Sequence, residues 1–180
     1  VVEACKEHLP GIAKKLDNPR VEICIQDAVK YIEGTSQQKN NLFDVILIDS
    51  TDPIGAGEGL FTVDFYKNVY NSLQSNGIMA NQSESPWADP VMFQGIYHKL
   101  CQVFPAAHPY MATVPSYPGG IWSWTFCSKG LQPEILRSEI AIEIEKQSRY
   151  FNRDLYKASF VLPNYVKKLL STDKREISSC

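Results

Sequence analysis

The sequence predicts a doubly wound α/β sheet carrying an antiparallel extension, and three observations lead there. The run Phe43-Asp44-Val45-Ile46-Leu47-Ile48 is nearly continuous in apolar residues, as in a strand buried on both faces of a helix-covered parallel sheet. Helical and strand-like patterns alternate around it. Two later strand-like runs, Ala107 to Val114 and Ile121 to Cys127, flank the turn sequence Pro115-Ser116-Tyr117-Pro118-Gly119-Gly120 and read as an antiparallel pair.

Taken in order, Val1, Val2, Cys5 and Leu9 form a helical stripe that should end near Pro10-Gly11. The helix opens at Val1 without a cap or an initiator Met, which predicts a chain cut from something longer. Val21-Glu22-Ile23-Cys24-Ile25 alternates and is rich in β-branched residues, so a strand is expected there. Asp27 closes it and can cap a helix from Ala28 to Glu33; Thr35 to Asn41 is a polar loop. After the apolar strand at 43–48 comes a helix from Thr62 to Leu73, with Phe65, Val69 and Leu73 on one face. Asn76-Gly77 then turns the chain into a strand from Ile78 to Gln82, and Pro90 opens a helix through Leu100. Helices are also expected from Glu134 to Gln147 and from Asn164 to Leu170, followed by a polar tail from Ser171.

The chain has 180 residues, of which 44% are hydrophobic, enough for one domain with a core of ordinary size. A net charge of −2 argues against a general nucleic-acid binder, which carries a basic face. No apolar run is long enough to span a membrane as a helix. Five scattered cysteines without a C-x-x-C pair fit reduced, cytoplasmic thiols.

Charge placement is more informative than its sum. Between Asn40 and Ser128 only Lys67 and Lys99 are cationic, against Asp44, Asp49, Asp52, Glu58, Asp64, Glu84 and Asp89. In doubly wound sheets ligands sit outside the carboxyl ends of the strands. Asp27, Asp49 and Gln82 each follow a predicted strand, so they are expected to share one rim. Asp49-Ser50-Thr51-Asp52-Pro53 sets two carboxylates three residues apart. One carboxylate suffices for a cap or a turn. Two at close quarters repel by about 4 kcal/mol at ~4 Å and an effective dielectric of ~20. A cationic ligand relieves this, and an organic cation ranks above Mg²⁺ because no phosphate-cradling glycine loop or second acidic cluster accompanies the pair. Trp122, Trp124 and Phe126 share one strand face by parity, most simply a packing stripe. Tyr117, held in a turn, is placed to wall an aliphatic chain or stack on an ammonium.

Several motifs then occur together in a fixed order: Asp49-Ser50-Thr51-Asp52-Pro53-Ile54-Gly55, Leu60-Phe61, Gln82, Pro115-Ser116-Tyr117-Pro118-Gly119-Gly120 and Phe160-Val161-Leu162-Pro163. In this combination the chain resembles the spermidine synthase family of aminopropyltransferases, from Val1 to about Leu170. The resemblance implies a methyltransferase-like (Rossmann-like) sheet, with residues 1–170 forming the C-terminal part of the catalytic domain and 171–180 a polar tail. It implies transfer of an aminopropyl group from decarboxylated S-adenosylmethionine to putrescine, giving spermidine and methylthioadenosine. No prosthetic group and no metal are expected.

By position, the resemblance makes Asp49 the proton acceptor and Asp52 the anchor for a substrate amine. Gln82 and Tyr117 fall at polyamine-site positions, and Ser50 and Trp122 complete the expected substrate-binding set. Asp27 resembles the carboxylate that holds the adenine amino group, with Ala28 and Ala56 beside the nucleoside. At those last two positions the family more often has Gly and Pro. The family's N-terminal β-domain, its Gly-rich loop and its ribose-gripping acid would all precede Val1. Two sheet strands are then expected between those beginning at Val21 and Phe43, and the chain alone is expected to be inactive. A cytoplasmic homodimer or homotetramer is the implied assembly. Two other readings stay open: an S-adenosylmethionine-dependent methyltransferase, and a non-catalytic polyamine-binding or assembly domain.

Overall fold

The computed structural model describes residues 1–38, 42–134 and 137–171. Two short helices open the chain, α1 (Val2–His8) and α2 (Pro10–Ala13). The backbone leaves helical geometry at Leu9 (φ −127°), and Pro10 starts α2 where its missing N–H costs nothing. Helix α3 (Ala28–Ser36) is capped as expected: Asp27 accepts hydrogen bonds from the backbone N–H groups of Val29 at 2.9 Å and Lys30 at 3.3 Å.

Four strands follow: β1 (Phe43–Ile48), β2 (Leu73–Gln82), β3 (Ala106–Thr113) and β4 (Ile121–Ser128). They form one sheet in the order β1-β2-β4-β3, with β1 and β2 parallel and the other pairs antiparallel. The α/β class and the antiparallel pair are as the sequence predicts. Helix α4 (Val63–Ser72), capped by Thr62, crosses from β1 to β2, and α5 (Pro90–Cys101), capped by Asp89, leads from β2 to β3. The core between helices and sheet is built on Phe61, Phe65, Tyr66, Val69, Leu73, Met79, Ile96, Leu100 and Phe104. Helices α6 (Ser138–Gln147), α7 (Arg153–Ser159) and α8 (Asn164–Ser171) complete the described chain.

Several expectations are corrected. Val21–Ile25 forms no strand among the described residues, and Ile25 is 86% exposed. A β-branched alternation favours a strand only where a neighbour supplies the ladder, and no described strand lies against this segment. Strand β1 is not covered on both faces. It is an edge strand whose Ile46 and Ile48 pack on the core, while Val45 is 50% and Leu47 74% exposed. The turn at Asn76-Gly77 exists inside β2, as an irregularity in which the register with β1 jumps from Phe43↔Leu73 to Val45↔Ile78. The sixth helix starts at Ser138 instead of Glu134; Ile135 and Leu136 lie outside the described residues. Helix α7 and a 3₁₀ segment over Gly55–Phe61 had no sequence forecast. Ser171 belongs to α8, and the rest of the expected polar tail lies outside the described residues, as does the end of the loop expected at 35–41.

Candidate active site

The site begins with register. Ile48 of β1 pairs in parallel with Asn81 of β2, so Asp49 and Gln82, the next residues of each chain, leave the carboxyl ends of neighbouring strands at the same height. On the other flank of β2, Gln82 sits opposite Trp124 of β4, two residues from Trp122. The turn between β3 and β4 returns Tyr117 over the same end. It is closed by Val114 N–H to Gly120 O at 2.9 Å and Gly120 N–H to Tyr117 O at 2.9 Å, with Gly119 and Gly120 at positive φ.

These segments enclose a cavity of about 460 Å³ lined by Asp49, Ser50, Thr51, Asp52, Gln82, Tyr117 and Trp122. Both carboxylates of the acidic loop thus open onto one space, together with the four other residues expected there, Ser50, Gln82, Tyr117 and Trp122, and their loop neighbour Thr51. Among the described residues no Lys or Arg lines it. An acidic cavity without its own cation favours a positively charged ligand. The Tyr117 and Trp122 rings meet edge to face at 4.6 Å between centroids. Trp122 is 9% exposed, and its indole N–H has no partner among the described residues. By contrast Trp124 stacks on Tyr110, and Phe126 packs against Phe160, as the packing-stripe reading expects.

A second cavity, of about 440 Å³, adjoins the first and is lined mainly by apolar side chains. Its walls include Ala28, Tyr31, Ile46, Ile48 and Leu60, and also Asp49 and Ser50. The two cavities therefore meet at Asp49 and Ser50. Asp27 lines neither of them; it stands at the N-terminus of α3, engaged through one carboxylate oxygen as the cap. Of the expected rim, Asp49 and Gln82 come together, and Asp27 is represented by its neighbour Ala28. Ala56 is exposed on the 3₁₀ segment and lines neither cavity.

The acidic loop is held in shape by close backbone packing. Ile54 N–H donates to Asp52 O at 2.7 Å, and Gly55 N–H to the Glu58 carboxylate at 3.1 Å. A Cβ on Gly57 would lie 2.4 Å from the Asp52 carbonyl oxygen and 3.0 Å from Thr51 Oγ1, so only glycine lets the 3₁₀ segment approach.

One residue of the site escaped sequence reasoning. Glu84 is 6% exposed and exchanges two hydrogen bonds with Gln82: Gln82 Nε2 donates to Glu84 Oε1 at 2.9 Å, and Glu84 N–H donates to Gln82 Oε1 at 2.9 Å. Burial, with the Asp52 and Asp89 carboxylates close by, holds its carboxyl above the ordinary range despite the bond from Gln82. The available signal was the unbroken polar run Asn81-Gln82-Ser83-Glu84-Ser85 following a strand that ends on the rim. Among the described residues no three His, Cys, Asp or Glu side chains group as metal ligands do. No described helix is long and apolar enough to cross a membrane.

Fold and site together define a methyltransferase-like α/β unit in which an acidic pocket abuts an apolar one. Residues 1–138 match the family model of the spermine/spermidine synthase domain. The chain belongs to the spermine/spermidine synthase family. It is 42% identical over 177 residues to a polyamine aminopropyltransferase of Alkaliphilus oremlandii, covering 97% of this chain and 61% of that protein. It is 41% identical to one from Clostridium kluyveri, covering 94% and 59%. The chain thus spans about three-fifths of the length of these curated relatives. A spermidine synthase in complex with the transition-state analogue AdoDATO superimposes with a TM-score of 0.86 at 39% identity, over 93% of this chain and 57% of that one. The spermidine synthase of Thermotoga maritima gives 0.83 at 38%, over 93% and 56%. Human methyltransferase-like protein 13, in complex with SAH, gives 0.57 at 15% identity over 96% and 68%, a likeness of fold alone.

Proposed function

We propose that this chain supplies the acceptor pocket and part of the nucleoside pocket of an aminopropyltransferase. The enzyme would move the aminopropyl group of decarboxylated S-adenosylmethionine onto putrescine, leaving methylthioadenosine. On this reading residues 1–170 belong to the C-terminal part of its catalytic domain. The observation that carries the reading is the meeting of the acidic and apolar cavities at Asp49 and Ser50. A nucleoside suits the apolar side, beside Ala28 and Tyr31; Asp27, next to Ala28 at the start of α3, is assigned the adenine amino group by position in the family. Ala56 lies beyond the cavity walls and keeps only a peripheral place at the nucleoside. A diamine suits the acidic side.

The chemistry follows from where protons sit. A primary amine resembles Lys, with a pKa near 10.4, so freeing its lone pair at pH 7 costs about 4–5 kcal/mol. Asp52 holds the amine that stays charged, and Tyr117 offers a ring face to it. The other amine attacks the methylene bonded to the sulfonium. The new C–N bond forms as the C–S bond breaks, its electron pair neutralises the sulfur, and Asp49 takes the proton that the nitrogen sheds. Base assistance of this kind contributes roughly 10²- to 10⁴-fold, and alignment of nitrogen, carbon and sulfur up to about 7–11 kcal/mol. The sulfonium is a good leaving group, so the step calls for neither a metal nor a prosthetic group. On this reading the enzyme works in the cytoplasm as a homodimer or homotetramer. Among the described residues Cys5, Cys24, Cys101 and Cys127 are free thiols.

The test is a transfer assay on an enzyme of full family length carrying this segment. A donor labelled in both the aminopropyl and the S-methyl groups is supplied with putrescine, and products are separated by mass. Labelled aminopropyl on the diamine is the expected result. Methyl transfer instead would favour a methyltransferase on the same sheet, a reading that leaves Asp52, Gln82 and Tyr117 without a task.

A further inference from the structure

Glu84 adopts φ 66°, and it is the single non-glycine residue with positive φ among those described. Left-handed backbone is unfavourable for a residue with a Cβ and persists where the surroundings over-determine it. Here they do. Its carbonyl oxygen accepts from Ser123 N–H at 3.1 Å and from Ser123 Oγ at 2.6 Å, and its N–H is spent on Gln82 Oε1. Ser83, just before it, is tied to Ser123 O at 3.0 Å and shares a hydroxyl contact with Thr125 at 2.9 Å. Glycine would adopt this turn without cost, so the side chain at 84 must do something that glycine cannot.

The geometry says what. Glu84 presents one donor, its backbone N–H, and one acceptor, its carboxyl oxygen, to opposite ends of the Gln82 amide. Only one amide orientation satisfies both. In that orientation Gln82 Oε1 keeps a second lone pair for a ligand. A flipped amide would bring an N–H against an ammonium, donor facing donor. We propose that Glu84 is the positioning residue of the acceptor site: by clamping both ends of the Gln82 amide it fixes Oε1 as the atom that meets the acceptor's ammonium beside Asp52. The inference rests on the aminopropyl-transfer reading.

The test compares Glu84→Gln with Glu84→Gly in an enzyme of full family length carrying this segment. Glutamine keeps an oxygen that accepts from Gln82 Nε2, so acceptor KM should stay within about threefold of wild type. Glycine suits the backbone and removes the clamp. Acceptor KM should then rise about tenfold or more, with donor KM unchanged and the melting temperature equal to or above wild type. If the glycine variant fails to fold, Glu84→Asn serves, since asparagine tolerates positive φ but is too short to reach. An unchanged acceptor KM in the glycine or asparagine variant overturns the proposal. So does a glutamine variant as impaired as the glycine one, or a donor KM that rises equally. A wild-type enzyme that transfers nothing to a diamine removes the functional reading, and this proposal with it. Wild-type transfer with unaltered variants removes Glu84 alone.

Discussion

On one side of Asp49, the chain beyond β2 is held by a dense set of hydrogen bonds. Gln82, Ser83, Glu84, Ser123 and Thr125 are all buried, and each is bonded to another of the group. On the other side, β1 is the edge of the described sheet, Leu47 stands 74% exposed, and the segment Val21–Ile25 pairs with no described strand. The acidic cavity borders the first region and the apolar cavity the second. The difference teaches that the acidic side is held together by contacts within this stretch of sequence. The apolar side shows a wall that would be stabler covered.

Five experiments break or sharpen that contrast, the first three in an enzyme of full family length carrying this segment. Asp49→Asn should lower turnover at least about a hundredfold, measured as methylthioadenosine formed; near-normal turnover would remove it as the proton acceptor. Asp52→Asn should raise the acceptor KM about tenfold, as expected for loss of a charged hydrogen bond, with kcat little changed. An unmoved KM counts against the anchor. Gly57→Ala forces a methyl against the Asp52 carbonyl, so the loop must shift. Chemical denaturation should show a loss of about 1–3 kcal/mol, accompanied by a raised acceptor KM; intact stability would mean that the close approach is dispensable.

The fourth concerns pH. Burial raises the Glu84 carboxyl above its ordinary 4.5, with Gln82 opposing and Asp52 and Asp89 adding to the rise. The folded state therefore binds this proton more tightly than the unfolded state. Its contribution to stability is full below about pH 4.5 and falls as pH rises through the folded carboxyl's higher value. Glu84→Gln has no such loss, so it should gain on wild type in urea denaturation between pH 4 and 7. Parallel pH curves would contradict this. The smallest effect is expected for Leu47→Ser in the 180-residue chain, within about 0.5 kcal/mol for an exposed position. A loss above ~2 kcal/mol would show that this surface is covered after all.

Much of this architecture can be read from local pattern. The cap at Asp27, the Thr62 cap, the start at Pro90 and the β3–β4 pair follow from side chains that act on their own backbone neighbours or alternate with a fixed period. Asp49, Asp52, Gln82 and Tyr117 were legible because strand ends and turns concentrate exposed polar chemistry, and the structure gathers all four around one cavity. The misreadings share a cause. Val21–Ile25 and β1 have the composition of buried strands, but burial depends on which neighbour is present, which a local pattern does not contain. Helix α7 was missed because its packing is non-local: Tyr156 meets Phe160 just past the helix, and Phe160 packs on Tyr110 of β3 and Phe126 of β4.

By itself, the sequence determined most of the helices, the paired strands from β1 to β4, the acidic loop at a strand's end and the family, because capping, periodicity and motif order are written along the chain. Only the tertiary structure decided that Asp49 and Ser50 are common to two cavities, that Asp27 lines neither of them, and that Glu84 grips Gln82. Those outcomes depend on strand register and on a left-handed turn pinned by Ser123, some forty residues away along the chain. Hydrogen bonds between distant segments form only once the sheet is assembled, and no periodicity announces them.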